Sequence, residues 1–216
     1  MQIVSAVFDS QGRGYQRMTE NMKRSAEARG YEVSIFRLAT DPMDEFRSGG
    51  DYRVNCYFKP HVVLNALESL EEDVVWVDGD CLVRERFDEI LDGCDVAVTL
   101  RRFEPNTIRD VYDGYVNAGV MAFRNNAAAR SFISAWIAEL PRGRADQDAL
   151  NRVLLNYTDM NHYGEVADVG GCRVKFLSCD VYNFFYFPED HSGAKILHVK
   201  GHLRPEFYEA CLCSVN

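Results

Sequence analysis

The run Val74-Val75-Trp76-Val77 is wholly apolar and passes directly into Asp78-Gly79-Asp80. A strand with two apolar faces has to be covered on both sides, which makes it an inner strand of a layered sheet. Around it, apolar β-runs alternate with stretches of helical spacing. Residues 3–8, 31–37, 95–100 and 115–123 read as strands, and 173–177 and 195–199 as shorter ones. Residues 15–29, 60–70, 132–140 and 146–157 carry helical periodicity, with a brief helix over 86–91. Gly30 suits a helix end. Pro60 and Pro205 suit first helical turns. Residues 39–54 are rich in Gly, Asp, Pro and Ser and read as a surface loop. The alternation predicts an α/β fold with a mostly parallel sheet. One domain spanning 1–216 accommodates the chain.

The formal net charge is −9. Non-specific nucleic-acid binding needs a basic footprint and is not expected here. Any bound polyanion would have to be held locally, by a metal ion, a helix N-terminus or a few placed cations. A nucleoside diphosphate fits that description. Seven scattered cysteines form no Cys-x-x-Cys pair and read as reduced thiols of a cytosolic protein. The N-terminus lacks the pattern of a signal peptide. No apolar run reaches the roughly 20 residues of a membrane span. Attachment at a membrane surface is left open.

In an open α/β sheet, ligands bind beyond the carboxyl ends of the strands, which is where Asp78 and Asp80 are expected. Gly79 lets the backbone turn tightly, so both carboxylates can converge on one hard cation such as Mg²⁺ or Mn²⁺. The same tripeptide also describes a plain turn. Asn117-Ala118-Gly119 gives a small, polar, backbone-accessible start to a strand, or a bulge. Asp146-Gln147-Asp148 opens a helix with acids, as the helix dipole favours. His198-Val199-Lys200-Gly201-His202-Leu203-Arg204-Pro205 places imidazoles, a glycine and cations at a strand end, as a phosphate site requires. The aromatic stretch 182–188 reads as an edge strand over the core or as a platform for sugar rings.

These four motifs, in this order, resemble GT-A glycosyltransferases and are similar to the glycosyltransferase family 8 group. The resemblance covers residues 8–205. It implies a Rossmann-like three-layer α/β/α fold with a mixed, mostly parallel central sheet. It also implies a hexosyltransferase that takes UDP-glucose or UDP-galactose and retains the anomeric configuration. The acceptor would be a glycan, a lipid-linked sugar, a protein or a small molecule. By the same resemblance, Asp78, Asp80 and His198 would hold Mn²⁺ (or Mg²⁺). Asp9 would face the nucleobase, and Lys59 would reach the donor phosphates or fix the site's acids. Asn117, Ala118 and Gly119 would line the donor sugar, and Gly79 would turn beneath it. Asp146 would bind sugar hydroxyls, Gln147 would lie beside the anomeric carbon, and Gly201 and Arg204 would contact the diphosphate. The sequence departs from the family in carrying Arg204 where a lysine is usual, in having no tryptophan after Pro205, and in being shorter.

Two other readings stay open. Gly12-Arg13-Gly14-Tyr15-Gln16-Arg17 superficially resembles the glycine-rich loop of sugar-1-phosphate nucleotidyltransferases, though its spacing is off by one. A module that binds a nucleotide-sugar without catalysis would share most of the same motifs.

Overall fold

The computed structural model describes residues 1–8, 13–39, 58–102, 115–140, 145–155, 163–199 and 205–215. A seven-stranded sheet forms its centre. Its strands are β1 (Gln2–Phe8), β2 (Val33–Leu38), β3 (Val74–Val77), β5 (Val96–Leu100), β6 (Val116–Phe123), β7 (Val166–Val169) and β8 (Cys172–Ser178). The order is β2-β1-β3-β6-β5-β8-β7. Five strands run one way, while β6, between β3 and β5, and β7, at the edge, run against them. The expected mixed, mostly parallel sheet is therefore present.

The three layers follow from strand alternation. On β3, Val74 and Trp76 enter one core and Val75 and Val77 the other. The first core is covered by α2 (Lys59–Leu70), α3 (Ala127–Glu139) and α4 (Asp146–Leu154). On α3, Ala129, Phe132, Ile133 and Trp136 fall on one face and are all buried. Asn126 caps that helix by accepting the Ala129 N–H at 2.9 Å. The second core is covered by α1 (Arg13–Glu27), through Met22 and Ala26. Gly30 ends that turn in the left-handed region, at φ 79°.

A small antiparallel sheet, β4 (Cys81–Val83) with β9 (Ile196–His198), lies against α1. Behind it, Met18, Leu82, Phe184, Leu197 and Tyr208 form a third apolar cluster. Tyr208 belongs to α6 (Pro205–Val215), and α5 (Cys179–Tyr182) follows β8 directly. The brief helix expected over 86–91 is a 3-10 turn at Asp88–Leu91. No described helix is long and apolar enough to cross a membrane. Cys81, Cys94 and Cys172 are buried thiols.

Asp95 ties layers together at the start of β5. Its carboxylate accepts from Asn126 Nδ2 at 2.9 Å and from the Arg173 backbone at 3.0 Å. The Arg173 guanidinium beside it holds its carboxyl below the usual range, and burial works in the opposite direction. A carboxyl depressed in the folded state stabilises above its unfolded pKa and loses that contribution as pH falls. Asp95→Asn is therefore expected to lower the melting temperature clearly near about pH 7, with the deficit shrinking towards about pH 3.5. An equal deficit at both pH values would contradict the role assigned to the charge.

Candidate functional site

The backbone assembles the site before any side chain acts. β3 ends at Val77, and the Asp78 N–H donates to Gly119 O at 2.8 Å. The chain then turns, with Cys81 N–H donating to Asp78 O at 3.0 Å, and enters β4. In the β4–β9 ladder Cys81 stands opposite His198, so main-chain pairing brings the imidazole to the Asp-Gly-Asp turn. Gly79 lets that turn press on α1. A Cβ there would lie 2.3 Å from Thr19 Oγ1 and 3.1 Å from Tyr15 Cε1.

His198 Nε2 is 3.3 Å from Asp80 Oδ1 and 3.8 Å from Asp78 Oδ2. Asp80 and His198 are both buried. The two oxygens of Asp78 have separate environments. Oδ1 accepts from Trp76 Nε1 at 2.7 Å and pairs with Lys59 Nζ at 3.0 Å, while Oδ2 is the one facing His198. Lys59 opens α2, lies 3.0 Å from Asp146 Oδ2 and donates to Ala118 O at 2.8 Å. One ammonium thus joins two acids and a strand carbonyl. Asp146, the first residue of α4, uses Oδ1 to accept the Gln147 N–H at 2.8 Å. Trp136 fixes the same turn by donating its indole N–H to Asp146 O at 2.7 Å. Burial pushes the Asp146 carboxyl up, Lys59 opposes that, and Asp78 adds to it.

Gln147 Oε1 accepts the Ala118 N–H at 3.2 Å, which links α4 to β6. Asn117 is buried, and its Oδ1 accepts from Gly119 N at 2.9 Å and Asn183 Nδ2 at 3.0 Å. Gly119 is the seat of the imidazole: a Cβ there would lie 2.5 Å from His198 Cε1 and Nδ1. The structure therefore brings Lys59, Asp78, Gly79, Asp80, Asn117, Ala118, Gly119, Asp146, Gln147 and His198 into one neighbourhood. Asp9, Gly201 and Arg204 lie outside the described residues.

Several members of the site had gone unremarked in the sequence. Cys81 Sγ, an Asp80 oxygen and a His198 ring nitrogen lie within 4.8 Å of one another. Burial first, then Asp80 and Asp78, push that thiol up. The same causes raise the Tyr15 phenol. Trp76 orients Asp78, and Asn183 sits behind His198. Asn183 was hidden within the aromatic stretch. There, Phe184 is buried, and Phe185 stacks on Tyr186 at 4.4 Å. Arg101 and Arg102 lie over those two rings at 5.7 and 4.2 Å.

No protein-family model matches the sequence, and no curated protein matches it. Solved structures do match. A glycosyltransferase involved in the glycosylation of the major capsid of PBCV-1 gives a TM-score of 0.64 at 15% identity, over 96% of this chain and 98% of that one. The galactosyltransferase LgtC, in complex with donor and acceptor sugar analogs, gives 0.52 at 17%, over 99% and 96%. The apo form of the glycosyltransferase GlyE from Streptococcus pneumoniae TIGR4 gives 0.53 at 17%, over 91% of this chain and 53% of that one. At these identities the likeness is one of fold. The α/β architecture is that of GT-A-like glycosyltransferases, as the resemblance of the motifs implied.

Two substitutions probe this geometry. Gly119→Ala would force its methyl into the His198 ring, at a cost of about 1–3 kcal/mol and a melting-temperature drop of roughly 2–10 °C. Gly193→Ala, with nothing within 4 Å of the added Cβ, serves as the control. Equal melting temperatures for the two variants would refute the close approach. Lys59→Met leaves Asp78 and Asp146 without their shared counter-charge, a loss of ~3–5 kcal/mol near about pH 8. A carboxyl raised in the folded state destabilises as pH rises through its pKa, so the loss is expected to shrink towards about pH 5. Denaturant unfolding at the two pH values measures this, and a loss independent of pH would count against the Lys59–Asp146 pairing.

Proposed function

We propose that this chain is a metal-dependent glycosyltransferase that moves a hexose from a nucleoside-diphosphate sugar, UDP-glucose or UDP-galactose, to an acceptor hydroxyl. One observation carries the proposal. The buried His198 Nε2 lies 3.3 Å from Asp80 Oδ1 and 3.8 Å from Asp78 Oδ2. A six-coordinate ion with bonds of roughly 2.1 Å spaces neighbouring ligands about 3 Å apart, so the 3.3 Å pair of His198 Nε2 and Asp80 Oδ1 fits such an ion, with Cys81 Sγ in the same group within 4.8 Å. Asp78, Asp80 and His198 are its ligands in this reading, and Mn²⁺ or Mg²⁺ suits the oxygen-rich set. When bound, the ion neutralises charge on the departing diphosphate.

The chain's own groups do the rest. Lys59 and Trp76 hold Asp78 Oδ1, which leaves Oδ2 aimed at the ligand. Asp146 binds sugar hydroxyls from the start of α4, oriented by Lys59 and by the Gln147 amide. Gln147 lies beside the anomeric carbon as a neutral group, held in place by Ala118. Retention of configuration is supported by the state of Asp146 and Asp148. An inverting enzyme needs a base such as Asp146 or Asp148; Asp146 is held by Lys59 at 3.0 Å and by the Gln147 N–H at 2.8 Å, and both Asp148 oxygens are engaged by Arg152, at 3.1 and 2.9 Å, in a buried position. The fold shared with LgtC, a galactosyltransferase whose structure holds donor and acceptor sugar analogs, supports a sugar donor and a sugar acceptor for this chain.

Thermal shift tests the reading. A UDP-hexose at about a hundredfold above its Kd should raise the melting temperature by roughly 5–10 °C when Mn²⁺ is present. It should do little in EDTA. Asp80→Asn and His198→Ala should abolish the Mn²⁺-dependent part and lower transfer by about 100-fold or more. Full stabilisation and turnover in EDTA, or in Asp80→Asn, would refute the assignment.

A further inference from the structure

Behind His198 lies a chain of buried polar groups that joins Asn117 to two residues outside the motifs that suggested the fold, Thr99 and Asn183. Thr99, Asn117 and Asn183 are all within it, each at most 2% exposed. A register shift between Val98 and Thr99 sets Thr99 against Asn117 of β6. Asn183 follows α5, and β9 runs alongside, with His198 N–H donating to Phe184 O at 2.7 Å. This places the Asn183 amide against the back of the imidazole, with His198 Nδ1 2.9 Å from Asn183 Oδ1.

Resting on the metal-binding role proposed for His198, we propose that Asn183 is a positioning residue that fixes the tautomer of that histidine. It holds the proton on Nδ1 and keeps the Nε2 lone pair directed at Asp80 and Asp78. The direction of every proton follows from the backbone. The Gly119 N–H donates to Asn117 Oδ1 at 2.9 Å, so the Asn117 atom facing Asn183 is an acceptor. The Thr99 hydroxyl donates to a main-chain carbonyl, Asn117 O at 2.9 Å or Val120 O at 3.3 Å. Its oxygen is then an acceptor as well. Asn183 satisfies both with its NH₂ group, at 3.0 and 2.8 Å. Its carbonyl is left to face His198, and a carbonyl only accepts. Nδ1 therefore carries the hydrogen.

The flipped amide is excluded by the same chain. It would put Asn183 Oδ1 against Asn117 Oδ1 and Thr99 Oγ1 inside the protein, with no proton between the two amide oxygens. The opposite tautomer, with the proton on Nε2, would hydrogen-bond Asp80 and leave no lone pair for an ion. Asn183 removes that competitor. A histidine ligand needs its other ring nitrogen fixed in this way.

The proton is visible in the metal-free protein by two-bond ¹H–¹⁵N correlation of the histidine rings, recorded at about pH 8. The His198 signals are identified by their loss in His198→Gln. Wild type is expected to show the Nδ1–H pattern. Asn183→Leu is expected to shift the ring towards Nε2–H and to weaken Mn²⁺ binding, read by electron paramagnetic resonance, by about 10–100-fold. An Nε2–H pattern in wild type overturns the inference, and so does wild-type Mn²⁺ affinity in folded Asn183→Leu. The wild-type spectrum decides even where the variant does not fold. An Nδ1–H pattern in a protein that binds no Mn²⁺ upholds the positioning role and defeats the metal reading instead.

Discussion

Two carboxylates, Asp80 and Asp78, face the buried imidazole nitrogen of His198 at 3.3 and 3.8 Å. In such a place a lone pair opposite an anion is unfavourable unless a cation lies between them. The surroundings hold this juxtaposition in place, because Lys59 and Trp76 bind the outer oxygen of Asp78 and Asn183 binds the outer nitrogen of His198. Each anchor acts from behind and leaves Asp78 Oδ2 and His198 Nε2 turned towards each other.

The fold supplies the precision this needs. Asp78 and Asp80 follow a strand buried on both faces, whose position is fixed by two cores. His198 comes from the other end of the chain but is registered by main-chain pairing with Cys81. Two glycines permit the close contacts, Gly79 against α1 and Gly119 under the imidazole. The antiparallel β6 contributes through its backbone. Gly119 O receives the Asp78 amide, and Ala118 receives Lys59 at its carbonyl and presents its N–H to Gln147. A segment read from sequence as lining for a sugar is also the frame on which the acids are hung.

What the sequence disclosed and what it withheld have physical reasons. The apolar run 74–77, the helical face of 132–140 and the glycine after α1 are local signals, and each matches an element of the structure. Strand order is not local. Periodicity reports which side of a strand is apolar and says nothing of which strand lies beside it. β4 and β9 are three residues each, too short for any period, yet they create the site. That His198 belongs with Asp78 and Asp80 was legible only through the resemblance of the motifs to a known family. Asn117 was legible in its motif, but its relay to Thr99 and Asn183 was not. Asn183 meets partners 84 and 66 residues away, and a register shift decides that encounter. A single asparagine among aromatic residues gives no hint of it.

The central claim is that these inward-facing groups are a cation site serving a bound diphosphate. Anomalous diffraction from crystals grown with Mn²⁺ and UDP tests it most directly. The account predicts one strong peak within roughly 2.1–2.3 Å of His198 Nε2 and an Asp80 oxygen, with diphosphate oxygens completing its coordination. A well-ordered UDP with no peak at that point, or a peak bound only by other residues, would contradict it.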